Sequence, residues 1–105
     1  MVKALHLTVE NETQYQAVFE APSEQPIHLT TSASIPQGLG KAKNIVYLHI
    51  KPPGRIEDGV LDVVCKLTEL EVLIIERGIS FGILPDSFYD LRNLKKLIIV
   101  NTWFS

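Results

Sequence analysis

The 105-residue sequence predicts a single α/β domain of stacked repeats, each joining a short strand to a short helical segment. Three observations predict it. First, Ile35 to Ile50, Val60 to Ile75 and Leu84 to Ile99 align without gaps, their starts 25 and then 24 residues apart. Second, six columns are apolar in every copy: Ile35/Val60/Leu84, Leu39/Val64/Phe88, Ala42/Leu67/Leu91, Ile45/Leu70/Leu94, Leu48/Leu73/Leu97 and Ile50/Ile75/Ile99. At 46% apolar content, chance gives that agreement roughly once in a million. Third, the spacing shifts inside each unit: Leu67, Leu70, Leu73 and Ile75 run at three, three and two. Steps of three suit a helical turn and a step of two suits a strand.

Each element follows from that pattern. Lys3 to Val9 alternates and is β-prone, as is Tyr15 to Phe19, with the polar stretch Glu10–Gln14 between them suiting a turn. Residues 1–26 are therefore expected to form an N-terminal β-hairpin cap, with the repeats covering 27–105. The alternative makes Leu5-His6-Leu7 a further parallel strand, 22 residues before Ile27. Ile27-His28-Leu29 reads as the first repeat strand, with Ile27 placed beside Leu48, giving about four turns in all. Val60, Val64 and Leu67 line one side of a short helix or 3₁₀ segment. Leu73 and Ile75 point inward from a strand, while Ile74 points out. Asp62 and Asp86 fall where convex segments begin, and a carboxylate there favours exposed N–H groups.

Leu67-Thr68-Glu69-Leu70-Glu71-Val72-Leu73-Ile74-Ile75 resembles the leucine-rich-repeat core. Leu84-Pro85-Asp86-Ser87-Phe88 through Leu91 and Leu94 resembles the Leu-Pro…Phe…Leu…Leu variety of that family. The resemblance implies a short solenoid, with parallel β-strands on the concave side and short helices or 3₁₀ segments on the convex side. It also implies a protein-binding scaffold. One departure stands out. Where the family carries Asn or Cys five residues after the third leucine, this chain has Pro53, Gly78 and Thr102. Pro52-Pro53-Gly54, Gly78 and Gly82 suggest tight, irregular loops there.

The resemblance places outward strand residues on the concave face, in rows Tyr47/Val72/Lys96, His49/Ile74/Ile98 and Lys51/Glu76/Val100. Val72, Ile74, Ile98 and Val100 then make an apolar patch. Such a patch marks either a contact site or a surface covered by the chain's own tail. The last strand leads into Asn101-Thr102-Trp103-Phe104-Ser105, and an apolar edge strand is a pairing template. Three readings are open: a piece of a longer solenoid, a dimer through this edge, or Trp103 and Phe104 folding back as a small cap. The expected partner-binding set is Tyr47, His49, Val72, Ile74, Glu76, Lys96, Ile98, Val100, Trp103 and Phe104.

Three histidines share one setting, Leu5-His6-Leu7, Ile27-His28-Leu29 and Leu48-His49-Ile50. On adjacent strands they would form a ladder. Plain polar residues on a wet face are the favoured reading. A Zn²⁺ site or a pH-sensitive contact built on His6, His28 and His49 is the alternative.

No phosphate-binding glycine loop, Ser/His/Asp spacing or acid–base carboxylate pair appears in the sequence, so a non-enzyme without cofactor is expected. A fragment of a larger multidomain protein remains an alternative. The net charge of −2, with mixed signs, argues against nucleic acid and anionic membranes as partners. Met1 to Leu7 lacks a signal-peptide core, and no run approaches the ~20 apolar residues that span a bilayer. A cytoplasmic protein is expected. The single cysteine, Cys65, reads as a structural thiol. Asn11-Glu12-Thr13 matches the glycosylation acceptor pattern, which is read as coincidence without an export signal.

Overall fold

A computed structural model describes residues 3–52, 59–76 and 86–100. Five strands form one parallel sheet in sequence order: β1 (Leu5–Val9), β2 (Ile27–Thr31), β3 (Ile45–Ile50), β4 (Val72–Glu76) and β5 (Lys96–Val100). Parallel neighbours need a crossover between them, and here every described crossover carries a helical piece. A 3₁₀ turn over Glu12–Tyr15 runs into α1 (Gln16–Glu20), and another 3₁₀ turn covers Gln37–Lys41. Then come α2 (Val60–Val64) and a last 3₁₀ turn over Asp86–Asp90.

Alternation decides which face is dry. Ile27 and Leu29 of β2, Ile45, Leu48 and Ile50 of β3, and Leu73 and Ile75 of β4 point inward and are buried. Leu39, Val64, Leu67 and Leu70 meet them from the helical layer, giving one core between sheet and helices. Val60 is only partly buried, and the neighbouring Leu61 and Val63 are buried instead. The helical pieces pack side by side, α2 touching the 3₁₀ turns before and after it.

The expected hairpin cap is not what forms. β1 pairs with β2 in parallel, Leu5 beside Ile27, at the offset of 22 residues that the alternative required. Residues 12–20 are helical instead of extended. Buried Tyr15 and Val18 are three apart, which a helix places on one face and a strand does not. The Gln14 side-chain oxygen accepts from the backbone N–H groups of Glu10 and Asn11, fastening the start of that segment. Asn11 itself accepts from the Thr13 hydroxyl at 2.5 Å.

The pairing of Ile27 with Leu48 is also corrected. Ile27 lies beside Ile45, the register shifts between Ile27 and His28, and Leu29 lies beside Leu48. The β3 to β5 registers match the repeat alignment, Leu73 beside Leu48 and Leu97, Ile75 beside Ile50 and Ile99.

Gly59 precedes α2 at φ 88°, in the left-handed region, with open space where a Cβ would stand. Conformational strain alone therefore sets the cost of a side chain there. Gly59→Ala is expected to lower stability by about 1 kcal/mol, and Gly59→Asn by less, in chemical denaturation.

Candidate functional site

The sheet's outer face carries the residues singled out in the sequence, and the registers set their rows. The first row runs His6, His28, Tyr47, Val72, Lys96. The second runs Thr8, Thr30, His49, Ile74, Ile98. Glu76 and Val100 begin a third, while Lys51 follows the end of β3. Each is next to an inward residue of its strand, so alternation turns it away from the core.

The face is polar at one side and apolar at the other. His6, Thr8, His28 and Thr30 stand on β1 and β2, and Val72, Ile74, Ile98 and Val100 on β4 and β5. Neighbouring strands are ~4.8 Å apart, so Ile74 and Ile98 are within reach of one another. Val72, Ile74 and Ile98 are partly exposed and Val100 is exposed. Tyr47 and His49 stand between the two halves.

His49 does not join the other histidines. β2 and β3 pair with Tyr47 beside His28 and His49 beside Thr30. His6 and His28 meet edge to face, ring centroids 4.6 Å apart, and His28 stacks on Tyr47 at 5.0 Å. Burial, and then His6, push the His28 imidazole below the usual histidine range, with Glu71 acting the other way. His49 Nε2 instead lies 2.5 Å from a carboxylate oxygen of Glu76. That contact ties the second row to the third across β3 and β4. Among the described residues, no three metal-ligating side chains converge.

The chain matches no known family model, no curated protein and no solved structure.

Trp103 and Phe104 lie outside the described residues, as do the loop positions Pro53, Gly54, Gly78, Gly82 and Thr102. No described helix is long and apolar enough to cross a membrane. Cys65 is buried at the end of α2, and that burial pushes its thiol pKa up.

Two polar devices escaped the sequence reading. Asn44 Nδ2 donates to the carbonyls of Pro22 and Gln25 in the preceding crossover, at 3.1 and 2.8 Å. Asn93 Nδ2 donates to the Thr68 carbonyl at 2.8 Å. Both stand one residue before the fourth apolar column, at Ile45 and Leu94, so the repeat alignment already paired them. The other is Thr31, buried on the inner face, whose hydroxyl meets Tyr15 Oη at 2.7 Å and accepts from the Ala33 N–H at 3.1 Å. On the helical side, exposed Phe19 stands between two shallow clefts, one towards Ile35 and Pro36, the other towards Lys41 and Asn44.

Proposed function

We propose that this chain is a leucine-rich-repeat module that binds another protein, a second copy of itself included, through the outer face of the sheet. The repeat columns, the sequence-ordered parallel strands and the helical pieces on the opposite side support the solenoid reading. One observation carries the binding reading: Val72, Ile74, Ile98 and Val100 are neighbours on two adjacent strands, none of them fully buried. Solvent-facing rows of a sheet ordinarily carry polar residues, and clustered apolar ones mark a contact surface.

The module works without catalysis, by burying a face that is already formed. Little conformational entropy is lost when a rigid sheet is covered. Tyr47 and the His49–Glu76 pair flank the apolar half and supply polar contacts at its margin. Lys96 adds an exposed charge at the end of the first row.

The test compares wild type with the double variant Ile74→Lys/Ile98→Lys, by light scattering for self-association and by affinity capture for other partners. Both residues face out, so the variant is expected to keep the wild-type circular dichroism. Its association constant, with itself or with the captured partner, is expected to fall at least tenfold, which is about 1.4 kcal/mol. A wild type that stays monomeric at high concentration, and retains the same proteins as the variant, would sink the reading.

A further inference from the structure

We propose that the His6–His28 pair makes β1 an acid-releasable edge strand. β1 has a single neighbour in the described sheet, β2, and the two imidazoles lie directly opposite one another in that pairing. Their rings meet at 4.6 Å with an interplanar angle of 65°, an arrangement that suits neutral aromatic rings. His28 is also stacked on Tyr47 at 5.0 Å and 17°, so it cannot swing away from His6 without giving up that contact.

The surroundings offset a charge on His28 only in part. β1 brings only His6 towards β2. β3 brings Tyr47 and His49, and His49 is already in contact with Glu76. The carboxylate that acts on His28 is Glu71, just before β4, which lies 3.5 Å from Lys95 Nζ. On the inner face, the group near β2 is the Tyr15 phenol on Thr31. Acidification therefore sets two like charges against each other across the first strand pair.

The strand is also unevenly held. Val9 is buried and its carbonyl accepts from Ser32, whereas Leu5 is exposed, its N–H donating to the Pro26 carbonyl at 2.8 Å, with the Gln25 side-chain amide donating to the Lys3 carbonyl just before it. Release should start at the Leu5–His6 end and stop short of Val9. His28 is held below the ordinary histidine value, so the closed strand binds fewer protons than the open one. The pairing keeps its full strength above about pH 6.5 and weakens as pH falls from there towards the lowered value.

The test uses nuclear magnetic resonance on wild type, His6→Gln and His28→Gln between pH 8 and pH 4.5. The His28 titration midpoint is expected to rise in His6→Gln. Amide protection at Leu5, corrected for intrinsic exchange, is expected to drop at least fivefold from pH 7.5 to pH 5 in wild type and less than twofold in either variant. The Glu71 amide, bonded to the Val46 carbonyl between β3 and β4, should keep its protection. An unchanged His28 midpoint would overturn the proposal. So would equal loss of protection in all three proteins, or equal loss at Leu5 and Glu71.

Discussion

Leu73→Ala is expected to remove about 2–5 kcal/mol of stability, from a total of about 5–15 kcal/mol for a domain of this size. Leu73 is fully buried at the centre of β4. Leu48 on one side and Leu97 on the other lie in register with it. Strands on both sides fix the backbone, so the site cannot collapse around the missing methyls and a cavity remains. The result should fall in the upper half of the range. Leu97→Ala is the control, because it removes the same atoms from the same column at an edge where the side chain is 39% exposed. It should cost less than half as much. Urea denaturation checks both, with slopes that stay equal to wild type. Equal losses at the two positions would show that the columns do not share one core.

Thr31→Val should be the next most damaging change, at about 1–3 kcal/mol. Among the described residues, its side chain is the buried polar one of the core, and its hydroxyl serves two partners. Valine keeps the shape but leaves the Ala33 N–H without its acceptor. The Tyr15 hydroxyl loses less, since it also donates to the Ala33 carbonyl at 3.3 Å. Tyr15→Phe should therefore cost only about 1 kcal/mol, and the two changes together should cost less than their sum. Additive losses in that cycle would mean the contact contributes nothing.

The later strands were legible because their pattern is local. Leu70, Leu73 and Ile75 repeat as Leu94, Leu97 and Ile99, and the observed β4–β5 register is the alignment itself. The outer rows follow from it, including the adjacency of Ile74 and Ile98. Two features of the first third were not legible. Tyr15, Val18 and Phe19 favour strands by type, yet their segment is helical because Tyr15 finds Thr31 across the core, 16 residues away. The histidine ladder failed for a smaller reason. β2 meets β3 at an offset of 19 residues, Leu29 beside Leu48, where a ladder needs the 21 that separate His28 from His49, and no spacing in the chain announces the difference. The asparagines were readable and overlooked, since Asn44 and Asn93 already shared a column.

The strand order 1-2-3-4-5 has a kinetic meaning. Pairs such as Leu5 with Ile27, Leu29 with Leu48, Tyr47 with Val72 and Val72 with Lys96 join residues only 19 to 25 apart. Closing such a segment costs nearly the same entropy each time, because that cost grows only with the logarithm of its length. No pairing has to wait for the two termini to find each other. Growth can begin at any adjacent couple and proceed outward by accretion.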